Sequence, residues 1–77
     1  MPRLANSRKV PLTKEDRAEL RAARADMGLS FARLSHKMRG TVDASTLSRR
    51  EGGSFEFIYK TDLRKWRRAL GLPYQGR

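Results

Sequence analysis

The sequence has no cysteine, one histidine and few acidic residues. Without cysteine the chain has no disulfide, no thiolate metal ligand and no cysteine nucleophile, and His36 alone cannot hold a metal. The neighbouring carboxylates Glu15 and Asp16 are explained by the charge preference of a helix start rather than by acid–base catalysis. We therefore expect neither an enzyme nor a metal or other cofactor.

Long apolar runs are also missing. Hydrophobic residues make up 38% of the 77 residues, and no uninterrupted run approaches the ~20 residues that cross a bilayer. A chain of this length is one small domain with too little interior for a buried catalytic cleft. The first residues are basic and polar, without the apolar centre of a secretory signal. We expect a cytoplasmic domain with no membrane association and no small-molecule ligand.

Positive charge is what the sequence has in excess. Eighteen Lys and Arg residues against eight Asp and Glu residues give a formal net charge of +10. The excess lies in residues 1–14, 35–53 and 54–77, with net charges of +4, +2 and +4, whereas residues 15–34 are balanced. The expected partner is a polyanion, and nucleic acid is the most common one. The alternative is a solvated basic surface that only aids solubility.

Capping residues and apolar spacing predict four helices. Thr13 and Asp16 form a capping box at the start of the first helix, which ends at Gly28, and Ser30 caps a second helix over residues 31–38. The inward face of the first helix is expected to consist of residues three and four apart, namely Leu20, Ala23, Arg24 and Met27.

Asp43 is the expected cap of a third helix that ends at Glu51, and the fourth helix covers residues 61–70 with Trp66 in the core. The cations of the fourth helix are expected to point mostly outward: Arg64, Lys65, Arg67 and Arg68. Residues 1–12 are expected to be a flexible basic arm, residues 13–71 the folded domain, and residues 72–77 a tail.

Residues 54–60 are ambiguous, because their alternating aromatic side chains suggest a strand. No second strand is evident to pair with them, so we expect a loop and an all-α, compact four- to five-helix domain. Some of the apolar side chains among Phe55, Phe57, Ile58 and Tyr59 should enter the core. The remainder, or Leu72 to Tyr74, would form a dimer contact.

Two short capped helices joined by a glycine-containing turn are typical of a helix-turn-helix. Small residues at the start of the third helix allow close approach to base edges, and Arg49 is long enough to donate two hydrogen bonds to guanine. The expected base-reading residues share one helix face: Ala44, Ser45, Ser48 and Arg49. Taken alone, this face is also compatible with an ordinary solvated helix.

Contacts with the DNA backbone are expected on both sides of this helix. Backbone amides after the cap Ser30, near Phe31, can bind a phosphate. The other expected backbone contacts are Lys37, Arg39, Thr41 and Thr46. In the arm, Arg3, Arg8 and Lys9 either reach the DNA or belong to a disordered solubilising tail.

Residues 20–71 resemble the Cro and repressor helix-turn-helix family of lambdoid phages, also called XRE-type. The matching residues are Leu20, Arg24, Met27-Gly28-Leu29-Ser30, Leu34, Leu47-Ser48, Glu51, Gly53 and Ala69-Leu70-Gly71. The resemblance implies a lambda-repressor-like fold and a salt bridge between Arg24 and Glu51. It also implies a homodimeric transcriptional regulator, repressor-type and from a phage or mobile element, on a DNA operator with approximate two-fold symmetry.

The chain departs from the family pattern between Leu34 and Leu47, where it is longer. Either the turn bulges or the second helix extends. Arg50 stands where an apolar residue usually packs, and Ser35 replaces the usual alanine. These departures bear on how the third helix is oriented.

Two other functions remain open. A protein-binding antiactivator with the same fold would carry an apolar exposed face on the third helix. A non-specific nucleic-acid binder would use the aromatic and basic residues of the segment 55–68, but stacking bases on them needs a sheet that the sequence does not predict.

Overall fold

The structure is a computed structural model that describes residues 8–73. Two short strands and four helices follow one another in it: β1 (Lys9–Pro11), α1 (Lys14–Asp26), α2 (Phe31–Lys37), α3 (Ala44–Glu51), β2 (Phe57–Tyr59) and α4 (Lys60–Ala69). Arg3 and Tyr74 lie outside the described residues. No helix between residues 8 and 73 has the length and apolar composition needed to cross a membrane.

The four predicted helices are confirmed to within a residue or two at their ends. Thr13 Oγ1 accepts a hydrogen bond from the Asp16 amide at 3.0 Å, and the Asp16 carboxylate accepts one from the Thr13 amide at 3.3 Å. Ser30 Oγ accepts from the Arg33 amide at 3.1 Å. Both caps satisfy amides that the helix itself leaves without a partner.

All four helices end in the same hydrogen-bond pattern. In each, an amide donates to the carbonyl five residues earlier: Leu29 to Arg24, Gly40 to Ser35, Ser54 to Arg49 and Leu72 to Arg67. This motif requires a left-handed residue directly after the cap, which favours glycine. Gly28, Gly53 and Gly71 fill that position after α1, α3 and α4, but after α2 it is Arg39, with φ +61°.

The prediction of an all-α fold with a loop over residues 54–60 is wrong in one respect. β1 and β2 form a two-stranded antiparallel sheet in which Val10 lies opposite Ile58. The partner strand comes from the segment expected to be a flexible arm, so residues 9–12 belong to the folded unit. The fold is mostly helical with a short sheet.

The core lies between the helices and the inner face of this sheet. Its buried members are Leu12, Leu20, Leu34, Met38, Leu47, Ile58, Leu63, Trp66 and Leu70. Trp66 is completely buried, as its place on the apolar side of α4 predicts. Full burial of a large apolar side chain contributes roughly 1.5–3 kcal/mol, so this set is the main source of stability.

Two predictions about helix faces are wrong. Met27 is 45% exposed, because α1 ends at Asp26 and Met27 no longer belongs to its inward face. Arg67 is buried rather than outward. Its Nη1 donates to Glu19 Oε1 at 2.9 Å and its Nε to the Pro73 carbonyl at 2.7 Å, so its charge and donors are satisfied.

Candidate nucleic-acid interface

The candidate interface is built on α2, the turn that follows it, and α3. The two helices pack against each other, and the apolar side chains that hold them, Leu34 and Leu47, are both fully buried. Each of these leucines lies four residues into its helix. The start of each helix is therefore free to project beyond the shared core.

The end of α3 is attached to α1 by a buried carboxylate. Glu51 Oε2 accepts from Arg24 Nε at 2.9 Å, and Oε1 accepts from Arg24 Nη2 at 2.9 Å and from Arg21 Nε at 3.2 Å. The Glu51 side chain is only 4% exposed. The salt bridge expected between Arg24 and Glu51 is thus formed, with the two-bond geometry that makes such pairs specific.

Arg24 also reaches the start of α2. Its Nη1 donates to the Leu29 carbonyl at 3.0 Å, and its guanidinium lies 4.1 Å from the centre of the Phe31 ring. The hydrogen bonds to Glu51 raise the pKa of Arg24, outweighing partial burial. One side chain therefore holds α1, α2 and α3 together, and a DNA contact at Phe31 would come from its backbone amide, since its ring packs against Arg24.

The residues expected to read bases lie on one side of α3. Ser45, Ser48 and Arg49 are exposed, whereas Ala44 is half-buried. The exposed surface is polar and ends in a long cationic side chain. This arrangement presents hydroxyl groups near the helix start and a guanidinium one turn later.

Asp43 occupies the predicted cap position but does not cap α3 in the expected way. Its carboxylate makes no hydrogen bond to the helix amides and accepts instead from Ser45 Oγ and Thr46 Oγ1, each at 2.6 Å. These hydrogen bonds lower the pKa of Asp43, and the charge of Arg49 acts in the same direction. Each hydroxyl uses its proton on Asp43 and keeps its oxygen lone pairs free, so Ser45 presents an acceptor outward. Thr46, expected to contact phosphate, can do so only by giving up this bond.

The lengthened turn bulges rather than extending α2, which ends at Lys37. Ser35 Oγ donates to the Val42 carbonyl at 2.6 Å and closes the turn onto α2. Thr41 Oγ1 donates to the Met38 carbonyl at 2.9 Å, so its hydroxyl proton is used inside the turn. Two consecutive left-handed residues, Arg39 and Gly40, accommodate the extra length.

The turn brings its cations next to α4. Lys37 and Arg39 are exposed and line an open groove of about 320 Å³ together with Lys65 and Arg68. Lys65 and Arg68 were not among the residues that the sequence analysis expected beside Lys37 and Arg39. Their outward position on α4 could be predicted, but not that α4 lies beside the turn.

Two further cations, Arg50 and Lys9, have partners within the protein. Arg50, at the position expected to be apolar, is half-buried and its Nη2 lies 3.4 Å from Asp62 Oδ2 on α4. Lys9 is part of β1, and its Nζ lies 5.4 Å from the centre of the Tyr59 ring. Ser30, Arg8 and Lys9 are all exposed, so each is available to a ligand.

Within residues 8–73 no group of three or more histidine and carboxylate side chains is placed to hold a metal ion. Comparison with known proteins identifies no relative: no family model, curated protein or solved structure matches the chain.

Proposed function

We propose that the protein binds double-stranded DNA in a sequence-specific manner and regulates transcription, with α3 reading the major groove. The observation that carries this proposal is the asymmetry of α3. Glu51 anchors its end to α1 through Arg24, while Ser45, Ser48 and Arg49 remain exposed on a polar face. A helix that is held at one end and solvated along one side fits a groove about 12 Å wide.

The exposed face of α3 also weighs against the antiactivator alternative. A protein-docking helix would present an apolar patch, but these three side chains are two hydroxyls and a guanidinium. Arg49 fits guanine, and the acceptor oxygen of Ser45 fits the amino group of adenine or cytosine. Half-buried Ala44 sits close to the helix start, where a methyl group can contact thymine.

The groove between the turn and α4 supplies the sequence-independent part of the proposal. Four cations line this protein groove and would neutralise DNA phosphates beside the major groove that α3 reads. They are Lys37, Arg39, Lys65 and Arg68. In keeping with the family resemblance, the proposal includes a homodimer on an operator of approximate two-fold symmetry, a repressor role in a phage or mobile element, and a cytoplasmic location.

Selection of duplexes from a random double-stranded DNA library, followed by titration of the selected sequence, tests the proposal. We expect Arg49→Ala to weaken binding to the selected site by about 1–3 kcal/mol and to remove the preference at one position per half-site. Arg68→Ala is the matched control, because it removes the same side chain and charge from α4. It should lower affinity for all duplexes alike and leave the sequence preference unchanged.

The two variants separate the alternatives. If the unmodified protein enriches no common sequence, the proposal is refuted and charge-driven binding is favoured. An unchanged sequence preference in Arg49→Ala would refute the role of α3.

A further inference from the structure

The outer face of the two-stranded sheet carries a group of exposed aromatic side chains outside the α3 interface. Phe57 is 55% exposed and Tyr59 43%, and Phe55, just before β2, is 39% exposed. We propose that this aromatic face binds unpaired nucleotides of single-stranded nucleic acid by stacking of their bases. The function would be additional to duplex binding by α3 and independent of it.

The alternation of the strands creates this face. Ile58 and Val10 lie opposite each other and pack inward, so their neighbours point outward. Tyr59 lies opposite Lys9, and Phe57 lies opposite Pro11. The outward positions of β2 therefore carry rings, and none of these exposed aromatic side chains is needed in the core.

The spacing of the rings suits separated bases. Residues two apart on a strand are about 6.8 Å apart. This is roughly twice the 3.4 Å rise per nucleotide within a stacked strand, so bases lying on Phe57 and Tyr59 would be unstacked from each other. Bases inside a duplex cannot reach such rings, and for this reason the ligand is a single strand.

Charge favours a nucleic acid over a second copy of the protein on this face. Lys9 Nζ lies 5.4 Å from the centre of the Tyr59 ring, Arg8 precedes β1 and Lys60 follows β2. The sequence from 54 to 60 contains one acidic residue, Glu56. A second copy docked here would bring the same cations, Arg8, Lys9 and Lys60, against each other, whereas a phosphate backbone is attracted to them. The rings would hold the bases and these cations the phosphates.

Fluorescence polarisation of a labelled oligothymidylate of about 12 nucleotides, at fixed salt, tests the proposal. We expect Phe57→Leu to weaken binding roughly fivefold to 100-fold, because leucine keeps the apolar contact but has no ring on which a base can stack. Phe57→Trp should retain the affinity, since it restores a larger ring. Thermal melting of each variant checks that the fold is intact.

The control variant Arg49→Ala distinguishes this site from α3. Arg49→Ala should weaken duplex recognition and leave oligothymidylate binding within about twofold. Phe57→Leu should weaken oligothymidylate binding and leave duplex recognition unchanged. Equal oligothymidylate affinity for the unmodified protein and Phe57→Leu would overturn the proposal. So would a dimer in sedimentation that Phe57→Leu dissociates without any change in oligothymidylate binding, because the face would then be a contact between copies.

Discussion

The two ends of α3 are built in opposite ways. At its C-terminal end, Glu51 is buried and receives three hydrogen bonds from Arg21 and Arg24 on α1. At its N-terminal start, the exposed carboxylate of Asp43 accepts hydrogen bonds from Ser45 and Thr46, within the same turn of chain. The C-terminal end is therefore held by contacts that are distant in the sequence, and the N-terminal end by contacts within a few residues.

This difference separates stability from recognition along one short helix. Removing a partner at the buried end leaves an uncompensated charge in the protein, which is costly. Changes at the exposed start are compensated by water and alter mainly what the surface offers to a ligand. We therefore expect substitutions to lose stability near the end of α3 and to lose binding near its start.

Glu51→Gln should have the largest effect on stability. The amide keeps the shape but loses the negative charge that compensates Arg24, and we expect a loss of about 3 kcal/mol. For a domain of this size the melting temperature should fall by on the order of 10–20 °C. Glu56→Gln is the control, since Glu56 is exposed. Equal melting temperatures for the two variants would show that the buried end of α3 is not stabilised by charge.

Gly53→Ala should have the next largest effect. Gly53 closes the α3 motif at φ +94°, beyond the left-handed region of roughly +50° to +70° that alanine tolerates. A Cβ there would also lie 2.7 Å from Nη1 of Arg17, which must move. We expect a loss of about 2 kcal/mol in a denaturant titration.

Gly71→Ala is the matched control for this comparison. Gly71 closes α4 in the same motif at φ +73°, and a methyl group at that position would meet no neighbouring heavy atom within 4 Å. Gly71→Ala should lower the free energy of unfolding by about 1 kcal/mol, because of the backbone dihedral alone. A loss for Gly71→Ala as large as that for Gly53→Ala would mean that neither the wider φ of Gly53 nor the contact with Arg17 adds to the loss of stability.

Arg39→Gly should change stability less and in the opposite direction. Arg39 adopts the left-handed conformation that glycine fills after the other three helices. Relieving its strain, less the added freedom of glycine in the unfolded chain, should stabilise the protein by roughly 0.5–1 kcal/mol. If Arg39 contacts phosphate, the same variant should bind duplex DNA more weakly and show a shallower salt dependence. A more stable variant with unchanged DNA affinity would exclude Arg39 from the interface.

The sequence predicted what depends on local signals and missed what depends on distant ones. Thr13, Ser30 and the apolar spacing lie within a few residues of the helices that they specify, and these helices were predicted closely. The β1–β2 pairing joins three residues near position 10 to three near position 58, and neither segment reveals its partner. The sheet, and with it the aromatic face, therefore could not be derived from the sequence.

The candidate site divides in the same way. The exposure of Ser45, Ser48 and Arg49 follows from helical periodicity alone. The burial of Arg67 does not follow from periodicity. A cation on a helix is expected in solvent unless a partner such as Glu19 is known to face it. Asp43 shows a third case, in which the position was predicted and the hydrogen-bond partners were not.

The smallest expected effect concerns the pH dependence of the exposed start of α3. Hydrogen bonds from Ser45 and Thr46 lower the pKa of Asp43 in the folded protein. Its contribution to stability is therefore present above the unfolded value of about 3.9 and is lost as the pH falls through the lower, folded value. NMR titration of the Asp43 carboxyl carbon should give a pKa below that of the unfolded chain.

Ser45→Ala should raise that pKa towards its ordinary value, because it removes one of the two donors. Ser48→Ala is the control, since Ser48 is exposed on the same helix and is not among the groups that shift Asp43. Near neutral pH, where the Asp43 carboxylate is ionised, Ser45→Ala should melt slightly below the unmodified protein, and this difference should vanish below the folded pKa, whereas Ser48→Ala should melt close to the unmodified protein at both pH values. An unchanged pKa in Ser45→Ala would mean that the hydroxyl does not donate to Asp43, and Ser45 would then be free to donate its proton to DNA.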